Sequence, residues 1–207
     1  MNELNIDALQ KAELRCEPFE YTIVPGFISD RALERIITTY PDIMRGGSYP
    51  LDSVEVPEPL QELVNSLDGP EFEKAVEDKF SVDLNGQPKM YSLRGYCRRT
   101  DGKIHTDSKD KIITVLLYLN RDWREEGGKL RMLRGGGDLN DYVEEVPPDN
   151  GTLLIFKRSE KSWHGHGPFE GERRSIQMNW MVSQNRRTFH KLRHSLSAKV
   201  KKLRAAT

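Results

Sequence analysis

The apolar positions of this chain change period about 90 residues in. Leu33, Ile36, Ile37 and Tyr40 recur at i, i+3, i+4 and i+7, the spacing that stacks side chains on one helix face. Ser29 or Asp30 stands where a capping side chain is wanted. Leu60, Leu63, Val64 and Leu67 form a second such stripe, and Phe72, Val76 and Phe80 a third. Ahead of them Tyr21-Thr-Ile-Val reads as a short strand closed by Pro25-Gly26, and Asn85-Gly86 marks a turn. From residue 89 the pattern becomes short strands between Gly-rich turns, expected over 89–96, 111–119, 129–133, 151–156 and 175–182. The run Ile112-Ile-Thr-Val-Leu-Leu-Tyr-Leu is apolar on both faces, as a strand covered on both sides should be. Helices first and strands afterwards predict an α+β protein, mainly β. Beyond Arg186, Phe189, Leu192, Leu196, Val200 and Leu203 fall at helical spacing with a basic opposite face, predicting a docked basic C-terminal helix.

With 36% hydrophobic and 31% charged residues in 207, the chain suits one globular domain. It contains no apolar run long enough for a membrane span, which needs about 18 residues or more. The acidic first 20 residues lack the apolar core of a secretion signal. Cys16 and Cys97 have neither metal-type nor disulfide spacing, so a cytoplasmic location is expected. Net charge is zero but polarised. Residues 1–87 hold 18 acids against 7 Lys/Arg, whereas from Arg173 onward there are ten Lys/Arg and no acid. A pair of solvated faces is the ordinary meaning of such polarity; it is also compatible with a homodimer, while a basic stripe alone does not make a nucleic-acid partner.

Three local patterns carry chemistry. His105-Thr106-Asp107 places an imidazole and a carboxylate two apart, on one side of an extended segment, where they can share a metal. Five histidines and 14 aspartates give roughly 0.3 such pairs by chance, so the pattern is weak alone and a surface turn would explain it. The second is Trp163-His164-Gly165-His166-Gly167-Pro168, which follows an apolar strand. Either histidine, arriving from a distant strand, would complete a 2-His-1-carboxylate triad and leave three positions open on Fe(II); the bland reading is a structural pair in a Gly-rich loop. The third is Arg173-Arg174-Ser175. Arg173, Ser175, Gln177 and Asn179 fall on one strand face, with Ile176, Met178, Trp180 and Val182 on the other. A polar inner face lines a cavity or wastes burial. Arg173 offers a fork suited to a carboxylate and Ser175 a hydroxyl beside it, unless Arg173 merely pairs with Glu170 or Glu172. A metal facing a carboxylate anchor describes a small dicarboxylate site.

Taken together, the order and spacing resemble the Fe(II)/2-oxoglutarate dioxygenases of the prolyl-4-hydroxylase-like group. The likeness runs from about Tyr91 to Val182. It includes Tyr96 ahead of the metal motif, His105-x-Asp107, Tyr118-Leu-Asn120, Gly127-Gly128-Lys-Leu130 and Pro148-x-x-Gly151-x-Leu-x-x-Phe156. His164 stands four before Pro168 and nine before Arg173, the family's offsets, which implies His164 as the distal ligand and leaves His166 beside it. Arg173-x-Ser175 matches the cosubstrate anchor, with Tyr118 as its implied partner and Tyr96 as a further cofactor contact.

The resemblance implies a double-stranded β-helix (jelly roll) over 89–183, N-terminal helical support over 1–88 packed on one sheet, and a basic helix over 184–207, all in a single domain 1–207. It implies Fe(II), 2-oxoglutarate and O2 as cofactor and cosubstrates, with ascorbate as an admissible reductant. It also implies hydroxylation of an unactivated C–H with release of succinate and CO2. The substrate is open between a prolyl residue of a protein or peptide and a small metabolite, sugar or lipid. Glu144-Glu145 and Gly135-Gly-Gly137 are expected near its entrance. Three rivals stand beside this reading, one of them a scaffold that kept the fold and lost the iron, against which the intact triad and anchor speak. Nucleic-acid demethylation would want an arginine where Asn179 stands. A non-catalytic cupin-like metal or sugar module would want His-x-His in the first motif.

Overall fold

A computed structural model describes residues 4–182, so the basic C-terminal helix expected beyond residue 183 lies outside the described residues. The N-terminal part is built on short helices. Asn5 caps α1 (Ile6–Lys11) by accepting from Ala8 N–H, and Ser29 does the same for α2 (Asp30–Thr39) through Ala32 N–H at 3.2 Å. Each apolar stripe read in the sequence is the buried face of its helix: Leu33 and Ile36 in α2, Leu60, Leu63, Val64 and Leu67 in α3 (Glu58–Asp68), Phe72, Val76 and Phe80 in α4 (Pro70–Phe80). Proline opens α4, where a missing N–H costs nothing, and Ser81 ends it at φ 48°.

Nine strands follow or intersperse: β1 (Tyr21–Val24), β2 (Tyr49–Pro50), β3 (Lys89–Cys97), β4 (Lys111–Tyr118), β5 (Leu130–Leu133), β6 (Tyr142–Val146), β7 (Leu153–Lys157), β8 (His164–His166) and β9 (Gly171–Met181). They form a six-stranded sheet in the order β1-β7-β4-β9-β3-β2 and a three-stranded sheet in the order β6-β5-β8, with antiparallel pairing throughout. This is a double-stranded β-helix, mainly β, as expected. The period-2 rule sorts the side chains into two cores. Leu153 and Ile155 of β7, Ile113, Val115 and Leu117 of β4, and Ile176, Met178 and Trp180 of β9 turn outward to meet the helices. Leu154, Phe156, Tyr118, Leu130 and Met132 turn inward between the sheets with Phe19 and Tyr21.

Two elements differ from expectation. The last strand begins at Gly171 rather than at 175, because β3 keeps pairing with it as far as Cys97↔Gly171; Arg173 is therefore inside the strand and aimed across the sheet. The segment holding His164 and His166 is strand β8, not a loop. It pairs with β5 and with His105, and Gly165 at its centre passes so close to Gly102 that a Cβ there would lie 2.8 Å from the Gly102 carbonyl oxygen.

Candidate active site

His105, Asp107 and His164 present one ligand atom each, all within 4.8 Å of one another. The backbone brings them together. His105 and His164 exchange both N–H···O bonds at 3.0 Å, an isolated bridge that sets their rings 4.3 Å apart. Nδ1 of His105 lies 2.8 Å from Lys103 O and Nδ1 of His164 lies 2.9 Å from Ser162 O. A carbonyl only accepts, so each Nδ1 donates and Nε2 is the nitrogen left to face a metal. Asp107 receives Lys111 Nζ at 2.8 Å on Oδ1 and Thr114 Oγ1 at 2.6 Å on Oδ2. Burial alone would raise its carboxyl. The Lys111 charge, His164 and these two hydrogen bonds overcome burial and hold it well below the usual carboxylate range. Burial pushes His164 down to about 4 against the pull of Asp107, so its imidazole is neutral at physiological pH. Two imidazole nitrogens and one carboxylate oxygen fit a first-row divalent ion such as Fe(II).

His166 faces elsewhere. Its Nδ1 is 2.8 Å from Gly167 O and its Nε2 is 3.9 Å from the Cys97 thiol, on the β3 side. It lines the same cavity without joining the three-residue cluster. Its pKa is also driven down to about 4, by burial and then by the Arg173 charge.

The cavity, about 450 Å³, runs between the sheets from this cluster to a polar end. There Arg173 donates from Nε to Gly128 O at 2.8 Å and holds its guanidinium 5.3 Å from the Tyr118 ring centroid. The neighbouring ion pair falls to Arg174, which binds Glu172 at 2.6 Å and leaves Arg173 pointing inward. Among the described residues, Tyr118 Oη and Ser175 Oγ are fully buried and have no hydrogen-bond partner. Leaving such groups unsatisfied costs about 1–3 kcal/mol each. Two orphaned hydroxyls beside a guanidinium fork form a cradle for a carboxylate.

The other expected residues fall outside. Tyr96 does not line the cavity: the β3–β9 register shifts between Arg94 and Tyr96, so the inward phase carried by Met90, Ser92 and Arg94 breaks just before it. Glu144 pairs with Arg15 and Glu145 with Arg131, while Gly136 lies under the Trp163 ring; none of them lines the cavity. Sequence reasoning missed Arg94, Lys111 and Thr114. Counting by twos along β3 from Met90 finds Arg94, whereas Lys111 and Thr114 belong to the next strand and carry no motif of their own.

A two-histidine, one-carboxylate cluster with Asp107 and His164 buried, facing an arginine anchor between the sheets of a double-stranded β-helix, is the arrangement of the 2-oxoglutarate-dependent oxygenases. Residues 90–182, a little under half of the chain, match the family model of the 2OG-Fe(II) oxygenase superfamily, which supports a 2-oxoglutarate-dependent oxygenase, prolyl-4-hydroxylase-like in fold. Among solved structures it is similar to a Pseudomonas putida prolyl-4-hydroxylase, at 17% identity and TM-score 0.58 over 87% of this chain and 92% of that one. It is likewise similar to a prolyl 4-hydroxylase of Phytophthora capsici, at 15% identity and TM-score 0.61, covering 87% of this chain and 63% of that one. No curated protein matches it by sequence. Among the described residues no helix is long and apolar enough to cross a membrane.

Proposed function

We propose that this chain hydroxylates an unactivated C–H bond of a substrate held in the cavity, with His105, Asp107 and His164 as ligands of Fe(II) and Arg173, Ser175 and Tyr118 as the anchor of 2-oxoglutarate. The orphaned Tyr118 and Ser175 hydroxyls under Arg173 carry the reading, because a carboxylate is the ligand that satisfies all three at once. Fe(II) with 2-oxoglutarate and O2 would supply the C–H oxidant, with succinate and CO2 as the other products.

The chain's own groups prepare that chemistry. Lys103 and Ser162 carbonyls fix the imidazole tautomers. Thr114 steadies the Asp107 carboxylate; its Oγ1 also lies 3.1 Å from Asn179 Oδ1, so the inner face of β9 reaches the metal cluster through one hydroxyl. Lys111 holds Asp107 Oδ1 with one hydrogen bond, which leaves that oxygen a further lone pair for a metal. Leu116, Leu130 and Phe156 line the span between cluster and anchor and exclude water from it. Tyr96, outside the lining, is not part of the proposed contact set.

The test is anaerobic addition of Fe(II) and 2-oxoglutarate with observation of a metal-to-ligand charge-transfer band, followed by O2 and measurement of succinate. Folded wild-type protein that yields neither band nor succinate would remove the proposal. His164→Ala is expected to abolish the band and His166→Ala to retain it; the reverse pattern would reassign the distal ligand.

A further inference from the structure

The anchor end of the cavity holds a second arginine. Arg94 lines it from β3, and in the sheet register it stands opposite Ser175, which has Tyr118 on its other side. Ser175 is thus flanked by Tyr118 and Arg94 on neighbouring strands, each about 4.8 Å away between backbones. Arg173 leans toward the Tyr118 side, over that ring. Among the described residues the Arg94 guanidinium donates to no acceptor, although its backbone carbonyl receives Tyr40 Oη at 2.9 Å. The nearest acid it feels, Asp101, is bound by Arg98 at 2.7 Å. Burial, and then Arg173 close by, push the Arg94 guanidinium below its ordinary value, so a positive charge is held there at a cost.

Donor counting shows what is left over. A carboxylate accepts about four hydrogen bonds. The free fork of Arg173 with Tyr118 Oη and Ser175 Oγ supplies that number for the far carboxylate of 2-oxoglutarate. The Arg94 donors remain. Charge gives the same answer: Fe(II) and 2-oxoglutarate cancel, Asp107 offsets one cation, and two of Arg94, Lys111 and Arg173 keep no counter-charge in the lining. Buried cations without a partner are expensive, and an incoming anion removes the cost.

We propose that Arg94 is an anion subsite for the primary substrate, which brings a carboxylate or a phosphate group into the cavity beside the cosubstrate. This rests on the cosubstrate reading above. It describes an acidic small molecule or an acid-bearing residue rather than an uncharged prolyl ring.

The experiment uses the full chain loaded with Mn(II), which replaces Fe(II) without turnover, and calorimetry of 2-oxoglutarate binding to wild type, Arg173→Gln, Arg94→Gln and Arg94→Lys. Loss of a charge-assisted anchor should weaken 2-oxoglutarate about tenfold or more in Arg173→Gln, with much less change in either Arg94 variant. With 2-oxoglutarate bound, the paramagnetic relaxation of three probes is then read: butanoate protons, butanamide protons and inorganic phosphate phosphorus. Enhanced relaxation of butanoate identifies a carboxylate source and of phosphate a phosphate source. Either supports the proposal if it fades in Arg94→Gln, is kept in Arg94→Lys, and is absent for butanamide. The proposal is overturned if Arg94→Gln weakens 2-oxoglutarate as much as Arg173→Gln does, or if no probe distinguishes wild type from Arg94→Gln. Wild-type protein that binds Mn(II) but no 2-oxoglutarate would instead sink the cosubstrate reading itself, a separate result.

Discussion

His164 and His166 are both held neutral by burial, at about 4 against an ordinary 6.5, and this makes the metal-free fold sensitive to acid. Above pH 6.5 neither the folded nor the unfolded form protonates them, so they contribute no pH dependence. Between 6.5 and about 4 the unfolded chain takes up protons that the folded chain refuses, and stability falls as pH drops. Asp107 acts in the same direction lower down: its depressed carboxyl contributes stability above about 3.8 that is lost as pH falls further. Each shifted histidine contributes a slope of up to ~1.4 kcal/mol per pH unit. Chelator-treated protein is therefore expected to unfold at lower urea at pH 5 than at pH 7.5, with a shallower fall in His166→Gln. Equal midpoints at the two pH values would show that these imidazoles are not buried neutral.

The elements around the cluster interlock through Gly102. Its φ is +81°, a Cβ would lie 2.4 Å from the His166 ring, and its carbonyl accepts His166 N–H at 2.9 Å. Substitution must therefore displace the His166 ring, which is packed between β8 and the segment that carries His105. Gly102→Ala is expected to cost about 2–3 kcal/mol in stability and to shrink the rise in melting temperature on adding metal. Gly86→Ala is the control. It has φ +69° with open space around it, so it pays backbone strain alone and keeps the metal response. Matching metal responses in the two variants would refute the interlock. The same elements mark how far the sequence could be read. Helical stripes and β9 alternation were legible because each has a period repeated over several turns or pairs. The three-residue β8 has a glycine at its centre and no period to read, and β6, Tyr-Val-Glu-Glu-Val, keeps its middle residues only half-buried. Tyr96 is named by the family resemblance alone, and a register shift in β3 leaves it outside the lining. Arg94 is legible by counting in twos along β3 from Met90, but it lies eleven residues before the metal motif rather than within it.

At the scale of the molecule, the part that carries the family pattern does not bury its own outer face. Residues 90–182 match the family model, and the metal cluster and anchor lie within them. Yet, among the described residues, the outer face of the large sheet is buried by the helices and flanking segments that precede residue 89. Ile113, Val115, Leu117, Leu153, Ile155, Ile176, Met178 and Trp180 each keep 1% exposure or less in that shared core, and Phe72 stacks on Trp180 with ring centroids 6.1 Å apart. The inner core depends on the N-terminal part as well, since Phe19 and Tyr21 enter it and β1 pairs with β7. Uncovering eight such side chains at ~1.5 kcal/mol each or more forfeits on the order of 10 kcal/mol, as large as the whole net stability of an ordinary domain, ~5–15 kcal/mol. A fragment of residues 89–183 is accordingly expected to lack a cooperative thermal transition and to bind a hydrophobic dye, whereas a fragment ending at 183 but keeping the N-terminal part should melt cooperatively and bind metal. A cooperative melt in the shorter fragment would show that the helices are an appendage, and that the cavity is held in shape by the two sheets alone.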